Sequence, residues 1–203
     1  MDKIKEEIEK LKNTKYTYIN LESFKLYANQ KRYNDYLINY LFKYYKDINK
    51  INNYCQEEDL NGNNYFAGIF GDDKNMSCII PKRKTLFDEM VCIHELTHLI
   101  SNLKENTNDY SMYNEVIAYF NEYNYLKSIH HFYSDLYETY RLNTAINASK
   151  KINDCSYSNA LSHIIAYLIL KKRKEDYNIK ELNKINSSSN TLEKKLISKG
   201  YTI

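Results

Sequence analysis

The stretch Thr85-Leu86-Phe87-Asp88-Glu89-Met90-Val91-Cys92-Ile93-His94-Glu95-Leu96-Thr97-His98-Leu99-Ile100 decides how this chain is read. Thr85 and Asp88 have the spacing of a capping box and stand just ahead of an apolar-periodic run. The pattern predicts a helix from about Leu86 to Leu103, terminated by the polar run Lys104 to Asp109. On that helix His94 and His98 are four residues apart, about 40° from each other around the axis and ~6 Å along it. Both imidazoles therefore leave the same face. Two nitrogens so placed can take one Zn2+ at about 2.0–2.1 Å. Glu95 falls beside such an ion rather than on it, where a carboxylate can hold a water, accept its proton and pass it to a leaving amine.

A third ligand has to come from elsewhere. The metzincin continuation of HExxH needs Gly and His at positions 101 and 104, where this chain has Ser101 and Lys104. The next helix, expected from about Ser111 past Leu126 and as far as His131, offers Asn114-Glu115-Val116-Ile117-Ala118-Tyr119-Phe120-Asn121-Glu122. From His98 to the first helix's end is about 9 Å, and from Ser111 to Glu115 about 6 Å back along an antiparallel partner. Counting thus returns the Glu115 carboxylate to the level of the histidines. Glu122 overshoots by about two turns. It shares Glu115's face and is open as an acceptor behind His94 or His98, although a solvated or salt-bridged surface carboxylate is its plainer reading. Asp109 is the remaining acidic alternative.

The segment 114–122 resembles the NExxAxxxE sequence that follows HExxH in gluzincin peptidases, most visibly thermolysin-related and M1-type aminopeptidases. The ImmA/IrrE-type regulatory peptidases, with a downstream ExxA helix, are a further relative. The resemblance implies a zincin-like catalytic domain, Zn2+ held by His94, His98 and Glu115, Glu95 as general base, and a small Ala118 that lets the two helices approach. It covers residues 64–126, about a third of the chain. The chain departs from the aminopeptidases in lacking their GxMEN motif, so amino-terminal trimming is not implied.

Outward from this core, residues 1–12 read as a charged helix, and 22–51 as a second helix with Leu26, Tyr33, Leu37, Tyr40, Leu41 and Tyr44 at helical spacing. Tyr65 to Phe70 and Met76 to Ile80, separated by Gly71-Asp72-Asp73-Lys74-Asn75 and closed by Pro81, read as a β-hairpin. Either strand, if it forms a sheet edge, can pair with an extended peptide. Beyond 131 the pattern stays helical, with breaks near Asn153, Asn178 and Ser187. The expected fold is therefore α+β and mostly helical: one domain with a helical segment 1–62, a catalytic core 63–126 and a helical lobe 127–203. A peptidase also needs a donor for the tetrahedral oxyanion. His163 is the first candidate, with Tyr157, Tyr167, His130 and His131 behind it, although a lone His in an apolar run is more often structural.

Composition narrows the function classes. The 203 residues carry a net charge of +3 with acidic and basic residues interleaved, which does not suit a nucleic-acid binder. Lys171-Lys172-Arg173-Lys174 suits a helix C-terminus, and Pro81-Lys82-Arg83-Lys84 reads as a solvated loop or a patch for an acidic substrate segment. Only four glycines are present, too few and too scattered for a phosphate-cradling loop. The charged N-terminus and the absence of a run of ~20 apolar residues predict neither a signal peptide nor a membrane span. Four cysteines without CxxC spacing fit a reducing cytoplasmic setting, leaderless export aside. The expected partner is a peptide or protein substrate. Two alternatives stay open: a deformylase-like zinc hydrolase with Cys55 as third ligand, and a non-catalytic regulatory protein whose fold is metal-stabilised.

Overall fold

The computed structural model describes residues 3–20, 24, 26–42, 51, 53–59, 67–70, 77–105, 112–151, 163–164, 167–168 and 171. In chain order the elements are α1 (Lys3–Lys12), α2 (Gln30–Tyr36) continuing into a π-helical turn (Leu37–Leu41), β1 (Cys55–Glu58), β2 (Gly68–Phe70), β3 (Ser77–Pro81), α3 (Leu86–Glu105), α4 (Met112–Ile129) and α5 (His131–Lys151). The fold is α+β and mostly helical.

Helix α3 starts where the capping box places it. The Thr85 backbone N–H donates to Asp88 Oδ2 at 2.8 Å, and the Asp88 N–H donates to Thr85 Oγ1 at 3.2 Å. Its side chains from Leu86 to Leu103 are buried or half-buried on every face, as befits a helix packed against more than one neighbour. Leu86, Cys92, Ile93 and Leu99 are completely buried. Strand β3 packs on one side of α3 and helix α4 on the other. Ala118, fully buried on α4, leaves room for the approach of the two helices. Helix α1 packs on α5.

Strands β2 and β3 are antiparallel, with Ile69 opposite Cys78. These are the strands of the expected hairpin; Tyr65, Phe66 and residues 71–76 lie outside the described residues. Strand β1 was not legible in advance. Its sequence, Cys-Gln-Glu-Glu, has no apolar alternation, yet it pairs in parallel with β3, placing Cys55 opposite Cys78. Sheet pairing here supplies what side-chain pattern does not. The order β1-β3-β2 makes β3 central, so of the two strands considered for pairing with a peptide only β2 lies at an edge among the described residues.

The long helix expected over 22–51 is corrected. Residues 26–28 are extended: Tyr27 bridges Thr85, the Ala28 N–H donates to Lys84 O, and Leu26 O accepts from the Leu86 N–H. Asn29, in an extended conformation, then caps α2 by accepting from the Arg32 N–H. An Asx cap combined with strand-like pairing outcompetes continued helix. Leu26 and Tyr40 are exposed, so their helical spacing did not report a core face. Helix α4 ends at Ile129, and α5 begins at once. Of the C-terminal stretch, His163, Ile164, Tyr167, Leu168 and Lys171 are described and helical. The breaks expected near Asn153, Asn178 and Ser187 lie outside the described residues, as do residues 172–174 of the basic cluster. Among the described residues no helix is long and apolar enough to cross a membrane.

A buried ion pair fixes α2 to α3. Glu89, wholly buried, accepts from Arg32 Nη2, Tyr125 Oη and the Asn29 N–H, each at 2.5 Å. Removing one partner of such a pair strands the other charge without water. Arg32→Ala should therefore lower the unfolding free energy by about 3 kcal/mol in urea titration, whereas Lys10→Ala, which removes an exposed i,i+3 pair with Glu7, should leave the urea midpoint unchanged.

Candidate metal centre

His94 and His98 project from α3 toward Glu115 on the first turn of α4. Their Nε2 atoms are 2.9 Å apart. Glu115 Oε2 lies 3.4 Å from His94 Nε2, and Oε1 lies 3.2 Å from His98 Nε2. The three side chains offer ligand atoms all within 4.8 Å of one another and form a group that can hold a metal ion. Donors at about 2.0–2.1 Å from a tetrahedral centre are separated by about 3.3–3.4 Å. The two nitrogen–oxygen spacings are close to that but run to different oxygens of Glu115, one to each histidine, and the nitrogen–nitrogen spacing is tighter at 2.9 Å. Two imidazoles and a carboxylate are donor types taken by zinc and by other first-row divalent ions, iron among them.

Behind the histidines stands a second set of contacts that corrects the surface reading of Glu122. This residue is only 2% exposed. Its Oε1 meets His94 Nδ1 at 2.5 Å, and its Oε2 accepts from Arg141 Nη2 at 2.6 Å and from the Tyr137 hydroxyl. Arg141, on α5, also donates from Nε to Tyr137 Oη at 2.8 Å. Seven residues after Glu115, Glu122 is two helical turns further along the same face. It reaches His94 at Nδ1, the nitrogen on the far side of the ring from Nε2. With Nδ1–H donated to Glu122, the His94 Nε2 lone pair is left to face Glu115 and a metal.

The charges follow this geometry. Burial opposes a charge on His94, yet Glu122 foremost, with Glu115, raises its imidazole to about 10. Glu115 is also buried, but the two histidines hold its carboxyl far below the usual range. Burial pushes the Glu95 carboxyl up, against the pull of His94 and His98, which makes it a better proton acceptor. Burial also pushes Glu122 up, but Arg141 and His94 outweigh it and hold the carboxyl at about 2.

His163 is close by. Its Nδ1 is 2.6 Å from the Tyr119 hydroxyl, and the Tyr119 ring lies between His94 and His163, with centroids 5.2 and 5.6 Å away. Burial and Arg141 push the His163 imidazole down to about 4, so it is neutral near pH 7. The other donor candidates are not brought together with it. His130 and His131 are exposed at the junction of α4 and α5, about 22 Å along α4 from Glu115, and His130 Nδ1 accepts from the Phe132 N–H. Tyr167 is buried in the core. Tyr157 and Asp109 lie outside the described residues. Cys55 lies on β1 opposite Cys78, apart from the metal-holding group. The basic loop after β3 is largely neutralised: Arg83 pairs with Glu57 and Lys84 with Asp59.

Tyr119, Tyr137 and Arg141 went unremarked in the sequence. Tyr119 had a signal, since it stands four residues after Glu115 on the same helix face. Arg141 had none, because its role depends on α5 crossing α4. No protein-family model matches the chain, and no curated protein or solved structure matches it either.

Protein purified without added metal should carry about one equivalent per chain by plasma mass spectrometry, and His98→Ala or Glu115→Ala should lose it. Glu122→Gln should retain the site but weaken it about 10- to 100-fold in chelator competition. In the metal-free protein, a carboxyl held at about 2 rather than its ordinary 4.5 contributes stability that is present above pH 4.5 and lost as pH falls through about 2. Acid titration of Glu122→Gln should accordingly show a shallower loss of stability across that window than the unsubstituted chain.

Proposed function

We propose that this chain is a zinc-dependent metallopeptidase of gluzincin type, with His94, His98 and Glu115 as ligands and Glu95 as general base. The observation that carries the reading is the convergence of two Nε2 atoms and one carboxylate at spacings suited to a tetrahedral ion, with an additional carboxylate one residue along the same helix. The raised Glu95 carboxyl and the Glu122 hydrogen bond to His94 add support, as does the NExxAxxxE resemblance. Zinc bound there supplies Lewis acidity, polarising a carbonyl and lowering the pKa of a water toward neutrality.

The chain's own groups carry the protons. Glu95 accepts one from the attacking water as the new C–O bond forms at the peptide carbonyl. It then delivers that proton to the amide nitrogen as the C–N bond breaks, and the water's second proton passes from the new carboxyl group to the amine, so that a carboxylate and an ammonium leave. His163 Nε2–H donates to the oxyanion of the tetrahedral carbon. Strand β2, at an edge of the sheet among the described residues, offers backbone groups to pair with an extended substrate.

Glu95→Gln keeps the side chain's shape and removes its basicity. Metal content should be unchanged, while cleavage of a peptide library, read by mass spectrometry, should fall about 10²- to 10⁴-fold. Equal behaviour of Glu95→Gln and the unsubstituted chain in every cleavage assay would overturn the enzyme reading in favour of a metal-stabilised binding protein.

A further inference from the structure

Tyr119 is buried, and its ring is enclosed on several sides. His94 and His163 flank it, and the Arg141 guanidinium carbon lies 3.7 Å from its centroid. Its hydroxyl meets His163 Nδ1 at 2.6 Å. In a pair of this kind the direction of the hydrogen bond selects a tautomer. If the phenol donates, Nδ1 is the acceptor and the imidazole proton resides on Nε2; if Nδ1–H donates, Nε2 is bare and cannot stabilise an anion. Arg141 favours the first arrangement and keeps the imidazole neutral. A cation over the ring face draws density from the phenol and makes its O–H a stronger donor. The same fixed positive charge opposes a second cation on the neighbouring imidazole.

We infer that Tyr119 is a positioning residue for His163: its hydroxyl, backed by Arg141, fixes the Nε2–H tautomer and the ring orientation with which His163 meets the oxyanion of a cleaved peptide. This rests on the peptidase reading above for its consequence, but not for its geometry. Tyr119 reports to His163 rather than to substrate, because its hydroxyl is engaged at Nδ1. Helix α4 thereby sets both the third metal donor, Glu115, and the oxyanion donor through residues one turn apart.

The test is Tyr119→Phe in the full zinc-loaded chain, which keeps the ring and its stacking on Arg141 and removes only the hydroxyl. Nitrogen NMR of 15N-histidine-labelled protein should show His163 Nδ1 unprotonated and Nε2 protonated in the parent, and a shift toward mixed tautomers in Tyr119→Phe. Zinc stoichiometry should be unaltered. Peptide turnover should lose about tenfold in kcat with little change in KM, the size expected for one hydrogen bond. In a His163→Ala background Tyr119→Phe should cost nothing further. A His163 Nδ1–H tautomer in the parent, an unmoved tautomer in Tyr119→Phe, or losses that add in the double variant would each overturn the inference. A parent that shows the expected tautomer and its shift, yet cleaves no peptide, would instead sink the peptidase reading and leave the Tyr119–His163 coupling standing.

Discussion

The constraint on which the rest depends is the charge balance inside the α3–α4 interface. Glu115 meets both His94 and His98, Glu122 meets His94 from behind, and the Arg141 guanidinium meets Glu122. Buried carboxylates are costly unless paired. The strong upward pull on His94 reflects the demand for positive charge at this point. A divalent cation meets that demand better than a proton, because it answers Glu115, Glu95 and both Nε2 lone pairs together. The groups that are expensive to bury in this interface thus include the three that could hold a metal ion.

Rigidity at the site comes from where these groups are mounted. His94, Glu95 and His98 belong to a helix covered by β3 and by α4, and Glu115, Tyr119 and Glu122 share one face of the helix packed against it. Arg141 and Tyr137 arrive from α5 and close the assembly from behind. The Arg32–Glu89 pair sits on α3 five residues before His94 and holds the earlier helix against the same scaffold. A site carried on helices and braced by such contacts keeps its donors within the small tolerances that catalysis needs.

What was legible in the sequence follows the range of each signal. The capping box at Thr85, the HExxH spacing and the return of Glu115 all depend on helical periodicity over a few turns, and the structure brings those residues together at contact distance. The hairpin strands were readable from apolar runs around a turn. Glu122 was on the right face but lacked a visible reason to be buried, because Arg141 lies 19 residues away and reaches it only through the α4–α5 crossing. Strand β1 owes its existence to a partner rather than to its own residues, and the start of α2 was set by Asn29 and by pairing to Thr85 rather than by hydrophobic spacing.

The most direct measurement on the proposed zinc centre is zinc K-edge X-ray absorption of the unsubstituted chain. Two imidazole nitrogens and oxygen donors at about 2.0–2.1 Å, with no sulfur, are the shell expected from His94, His98 and Glu115. A sulfur scatterer at about 2.3 Å would place a cysteine such as Cys55 on the metal, and a shell without imidazole would remove the histidine pair from it; either result contradicts the centre described here.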